Sequence, residues 1–196
     1  MFGEFTPPLR RVVESFEEDM QIPAGPKQYL ADWGERKSLG QKIVPLSPGT
    51  YRLVLVIQDA VSGDVNNWEQ PITVPRFDAD RLSTSALILA DSIESVPLRN
   101  IGTGQFVIGG SKVRPRIGGS FRRDESLGVY MKAYNLGKPQ GQVEYEVVRA
   151  GTSEVVVTTT EDIDKMPNAS GGEVTLQKLL RLEKLSPGSY TLRQNN

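Results

Sequence analysis

Cysteine and histidine are both missing from the 196 residues. Their absence excludes disulfides, thiol nucleophiles, zinc sites of the usual Cys/His type and every Ser-His-Asp arrangement. An excess of one charge is missing too: 23 basic residues stand against 24 acidic ones, a net charge of −1. A dedicated nucleic-acid binder needs basic excess for its phosphate contacts, so no nucleic-acid partner is expected. No run approaches the roughly 18 consecutive apolar residues of a membrane span. The first twenty residues carry Glu4, Glu14, Glu17, Glu18 and Asp19 without an apolar stretch, so this chain shows no signal peptide. What is abundant is turn chemistry, with 19 glycines and 13 prolines beside a hydrophobic share of 38%. Such a chain folds, with many turns.

The strongest organisational signal is an internal repeat. Leu46-Ser47-Pro48-Gly49-Thr50-Tyr51-Arg52-Leu53 recurs as Leu185-Ser186-Pro187-Gly188-Ser189-Tyr190-Thr191-Leu192. Pro48 and Pro187 stand 139 residues apart, too far for a solenoid period and suited to two related domains in tandem. Proline sets φ for a turn, and glycine after it accepts a positive φ. The leucine tucks into a core, and the tyrosine opens a strand. A tyrosine bonded back to the backbone at such a corner marks Greek-key sandwiches. Leu46, Pro48, Gly49 and Tyr51, with Leu185, Pro187, Gly188 and Tyr190, are therefore expected as structural corners.

The remainder reads as short strands. Leu9 to Gln21 is a moderate strand, and Tyr51 to Gln58 is a clear one. A hairpin loop follows at Asp59 to Gly63. Trp68, Ile72 and Val74 share one parity, which predicts that Trp68 packs inward. Pro71 places its strand at a sheet edge. Further strands are expected at Ala86–Ala90, Phe106–Ile108, Val113–Ile117, Leu127–Ala133, Val143–Val147 and Val155–Val157. Glu173 to Lys184 fits either a helix or a strand and is taken as strand because it enters the second corner. The expectation is an all-β chain of two tandem immunoglobulin-like (Greek-key) β-sandwiches, incomplete at both ends. The first spans 1–77, a linker 78–84, and the second 85–196, ending short of its last strand. The strand after Tyr190 is then expected to have an unpaired edge.

Chemistry-bearing motifs are weak. Gly104 to Ser111 is a near miss to a phosphate-binding loop, with Gly110 where lysine belongs and Lys112 two residues late. Lys112, Arg114 and Arg116 alternate with apolar residues, and Arg122 and Arg123 follow. These five form a candidate interaction face, or simply the solvated side of a strand. Residues 1–100 hold 10 basic and 14 acidic groups, and residues 101–196 hold 13 and 10. Asp59, Asp64 and Asn66, and again Glu161, Asp162 and Asp164, crowd two loops without EF-hand spacing, so no metal or other cofactor is expected. Tyr29 and Trp33 suggest a sugar-stacking surface or ordinary packing. Asn168-Ala169-Ser170 is a formal glycosylation sequon.

Several of these stretches together resemble a known family. Leu46 to Asp59, Ser62-Gly63, Pro71 to Pro75, Ser85 to Asp91, Phe106 to Gly110, Phe121 to Arg123, Leu127 to Tyr130 and Tyr134 to Leu136 carry the resemblance. Their order is similar to the C-terminal region of acidobacterial GWxTD-domain and von Willebrand A-related proteins. The Gly-Trp-x-Thr-Asp signature is absent, and Asp32-Trp33-Gly34 does not match it. The resemblance implies tandem β-sandwich modules of an exported bacterial protein, hence an extracytoplasmic location. It supplies no catalytic residues. The expected function is non-enzymatic: a structural or protein-interaction module that binds a protein partner, or self-associates, through an exposed edge strand. The alternatives are a carbohydrate-binding module and, third, a histidine-free hydrolase using carboxylates.

Overall fold

A computed structural model describes residues 2–6, 12–20, 39–137, 141–166 and 172–195. The fold is all-β and antiparallel, in two compact units, Met1–Arg76 and Phe77–Asn196. Tyr29, Trp33 and the Asn168 sequon lie outside the described residues.

The described residues of the first unit form one sheet of β1 (Phe2–Thr6), β2 (Glu14–Glu17), β3 (Gly49–Gln58) and β4 (Val65–Val74), in the order β2-β1-β3-β4. Within Leu9 to Gln21, the described strand is β2 alone. Gly3 lies opposite Phe16, whose ring occupies the space a Cβ would take. The hairpin between β3 and β4 closes on an Asx turn: Asp59 Oδ1 accepts from the Val61 and Ser62 N–H groups at 2.7 and 3.2 Å, and Gly63 adopts φ +78°. Pro71 sits on β4, an edge strand, where a missing donor costs no ladder bond. Trp68 departs from the inward packing its parity predicts, at 50% exposed. It pairs with Leu55 on β3, and no strand among the described residues lies beyond β4, so within the described sheet the indole has a strand neighbour on one side.

The second unit packs two sheets over a shared core. One holds β6 (Ile88–Ser95), β7 (Val107–Ile108), β8 (Ser111–Pro115), β9 (Ser126–Tyr134) and β12 (Val174–Arg181), ordered β12-β9-β6-β8-β7. The other is β11-β10-β13, from β10 (Gln142–Arg149), β11 (Val155–Asp162) and β13 (Tyr190–Asn195). Period-two alternation turns Leu127, Val129, Met131 and Ala133 of β9 against Val143, Tyr145 and Val147 of β10, all buried. Glu173 to Lys184 is a strand where ordered, and its Val174, Leu176 and Leu180 complete the core. Residues 78–84, expected as a linker, instead join this unit. Ser83–Thr84 forms β5 against the end of β9 that β6 leaves uncovered, and the Asn135 amide donates to the Asp78 and Arg81 carbonyls.

The larger sheet curls. β6 pairs with β9 over Ile88–Ala90 and with β8 from Ala90 onward, and a bulge at Asp91 lets it bend between the two. The curl brings Ser111 of β8 within 2.8 Å of Gln177 on β12, and the Tyr130 hydroxyl donates to the Ile108 carbonyl at 3.2 Å. Ala90, Val113 and Tyr130 make a second small core inside it. The bend needs close strand approach, and Gly128 permits it: a Cβ there would stand 2.9 Å from the Ala90 carbonyl oxygen. Gly128→Ala is expected to cost about 1–3 kcal/mol by overpacking, read as a shifted urea midpoint at unchanged slope.

Candidate interaction site

Both corners are built alike. The Tyr51 hydroxyl donates to the Ser47 carbonyl at 2.7 Å, and the Tyr190 hydroxyl donates to the Ser186 carbonyl at 2.6 Å. Leu185 is buried and Leu46 half-buried, while Pro48 and Pro187 face solvent. Gly49 and Gly188 do not take the positive φ that the turn pattern predicts. Each lies beside its tyrosine, where a Cβ would meet the ring at 3.5 and 3.8 Å, ordinary van der Waals contact. Arg149 stacks on Tyr190 with its guanidinium 5.6 Å from the ring centre, and Glu154 holds it at 2.7 Å.

The corner strand of the second unit is paired on one side only. β13 bonds to β10, and no strand among the described residues lies on its other edge. Ala150 N–H donates to the Ser189 carbonyl directly opposite at 2.9 Å. Antiparallel ladders alternate, so Thr191, Arg193 and Asn195 face β10 with their backbone groups. The N–H and C=O groups of Tyr190, Leu192 and Gln194 therefore point away from the sheet. A cleft of about 390 Å³ opens beside this edge, between the two sheets. Leu89, Phe121, Leu127, Val147, Leu182 and Leu192 line its apolar wall. On the opposite flank the sandwich is shut: Lys178 of β12 reaches Glu161 of β11 at 2.7 Å, joining the sheets.

Two polar groups near the edge have no partner. Tyr145 and Gln194 are opposite each other on β10 and β13. The Tyr145 hydroxyl and both amide atoms of Gln194 are enclosed without a hydrogen bond. Burial, reinforced by the charge of Glu161, drives the Tyr145 phenol far above its ordinary pKa. Sequence reading passed over both, although the inward parity of Tyr190, Leu192 and Gln194 places a glutamine on an apolar face.

Three of the five candidate cations are engaged by groups of this chain. Arg116 is held by Asp91 and by Glu125 at 3.0 Å, and lies 4.8 Å over the Phe121 ring. Burial pulls its guanidinium down, but the bonds to Glu125 and Asp91 outweigh it and its pKa is raised. Arg122 pairs with Asp124 at 3.2 Å, and Arg123 donates to the Glu183 carbonyl at 2.6 Å on the rim of the cleft. Lys112 and Arg114 remain exposed on β8, opposite Glu94 and Ser92 of β6. The acids that neutralise Arg116 come from distant positions, which no spacing along the strand reveals. Gly104 to Ser111 runs into a strand rather than a helix, as a turn with Gly104 and Gly109 at positive φ. The acidic loops spend their carboxylates within the chain, Asp59 on its own turn, Asp162 on nearby Lys165 and Glu161 on Lys178 of the other sheet. No group of three or more potential metal ligands occurs among the described residues. No described helix is long and apolar enough to cross a membrane. No family model, curated protein or solved structure matches the chain.

The two tyrosines of this region should respond oppositely to loss of the hydroxyl. Tyr190→Phe removes a made bond and is expected to cost about 1 kcal/mol; Tyr145→Phe removes an enclosed unpaired group and should leave stability unchanged or raise it. Chemical denaturation of the two variants checks the contrast. Glu125 is held below its ordinary pKa by the Arg122 N–H and then by Arg116, and Asp162 by Lys165 and Gln142. Both contribute stability above the unfolded carboxylate pKa that is lost as pH falls through the lower folded values. Melting temperature should therefore decline below about pH 4.5, less steeply in Glu125→Gln.

Proposed function

We propose that this chain is a non-enzymatic protein-interaction module of an exported bacterial protein, built on immunoglobulin-like sandwiches and working through the free edge of β13. One observation carries the reading: along the edge of β13, Tyr190, Leu192 and Gln194 turn N–H and C=O groups away from β10, and Tyr190 and Leu192 border a cleft with an apolar wall. A strand laid along this edge satisfies the backbone groups and buries its alternate side chains in the cleft. Main-chain pairing supplies affinity and the cleft supplies selectivity. The extracytoplasmic placement rests on the family resemblance alone. The non-enzymatic reading draws support from the candidate acids: Asp59 and Asp162 are tied into local bonds, Glu161 to Lys178 across the sheets, and Glu125 to Arg116 and the Arg122 N–H.

The contrast between the two edge strands supports the choice of β13. β4 is blunted by Pro71 and carries Glu69, the usual protections of an edge. β13 has no proline in Tyr190–Asn195, and its one charged residue is Arg193.

Gln194→Pro tests the reading because it deletes an N–H that faces away from β10 and leaves that ladder intact. In dilute protein, the Leu192 and Gln194 amides should exchange with solvent much faster than those of Thr191 and Arg193. Sedimentation should show association rising with concentration, and Gln194→Pro should abolish it while the melting transition stays cooperative. Protected Leu192 and Gln194 amides in a strict monomer at high micromolar concentration would overturn the proposal.

A further inference from the structure

We infer that the strand which fills the β13 edge follows the pattern of β4, an antiparallel segment supplied by a partner polypeptide with aliphatic residues placed over the cleft. The inference rests on the edge-docking reading above and adds the chemistry and register of the occupant. Its first support is the strand order. The sheet of the first unit runs β2-β1-β3-β4, and the smaller sheet of the second runs β11-β10-β13. In each, a hairpin pair leads to the strand that begins at a Leu-Ser-Pro-Gly-x-Tyr corner: β2 and β1 precede β3, while β11 and β10 adjoin β13. The corner strands align at Tyr51 with Tyr190 and Leu53 with Leu192, and diverge from Val54 and Arg193 onward. β3 carries β4 on its remaining edge. On β13 the corresponding position holds no strand among the described residues.

The second support is independent of the order. In the first unit Gly49 pairs with Val74, Tyr51 with Ile72, Leu53 with Gln70 and Leu55 with Trp68. Carried across the repeat, the occupant presents valine opposite Gly188, isoleucine opposite Tyr190, glutamine opposite Leu192 and tryptophan opposite Gln194. Gly188, Tyr190 and Leu192 all line the cleft. The transferred register thus sets two aliphatic side chains over the apolar opening. An indole, opposite Gln194, brings one N–H donor to the position whose enclosed amide has no partner.

The probe is the ten-residue peptide with the sequence of Val65–Val74, added to the full chain and followed by amide exchange and NMR shifts. Binding should slow exchange at Leu192 and Gln194 and shift the signals of Phe121, Leu182 and Leu185. The same peptide carrying Ile72→Ser and Val74→Ser should bind at least about tenfold more weakly, because it loses the burial of two aliphatic side chains. This control alters only the peptide, so the protein's own folding cannot confuse the result. The wild-type peptide should also compete with any self-association of the chain. If the β13 amides exchange freely and the two peptides bind equally, or neither binds, the β4 pattern is wrong while the edge-docking reading stands. If the peptide leaves exchange at Leu192 and Gln194 unchanged because association of the chain already protects those amides, a second copy is the occupant and the inference falls. Protection of those amides in the dilute monomer would remove both.

Discussion

Backbone groups along a strand must be paired on both sides or face water, and that constraint organises this protein around its two corner strands. The hydroxyl bond from Tyr51 to Ser47, and its twin from Tyr190 to Ser186, fix where each corner strand leaves its turn. Once the direction is set, a hairpin pair docks on one edge of each strand. The other edge is closed by β4 in one unit and carries no strand among the described residues in the other.

The second unit is accordingly lopsided. Along one flank the sheets are joined by the Lys178–Glu161 pair, where both partners are mostly screened from solvent. Along the other flank, β13 stands over β6 with an apolar gap between them. The core between the flanks is dense where β9, β10 and β12 meet, with Val129, Val143 and Val174 fully enclosed. Packing order therefore falls off toward the free edge, and so does hydrogen-bond satisfaction, since Gln194 lies on that side. The curl of the larger sheet shows how else an edge can be managed. There Ser111 returns to Gln177, and the sheet covers its own outer face around Tyr130.

The sequence was most informative where the signal is local. Alternation at Leu127–Ala133 and Val143–Val147 placed the core strands correctly, because a two-residue period against one buried face admits no other register. The repeated octapeptide marked both corners, although Gly49 and Gly188 do not take the positive φ expected of them. Trp68 was misjudged because parity reports which face a residue shares, not whether anything covers that face. The cleft was out of reach: its wall draws on β6, β9, β10, β13 and two loops, and no local pattern links Leu89 to Leu182. The partners of the charged residues were hidden for a related reason. Arg116 looks free along its own strand, yet Asp91 stands 25 residues before it in the sequence.

β3 is gripped by hydrogen-bonded neighbours on both sides, whereas β13 is gripped on one. A pull directed along β3 loads two rows of rungs in shear at once; the same pull on β13 loads one row. β13 is thus a mechanically weak seam, and any strand that occupies its edge acts as a splint, doubling the rows that must slide before the sandwich parts.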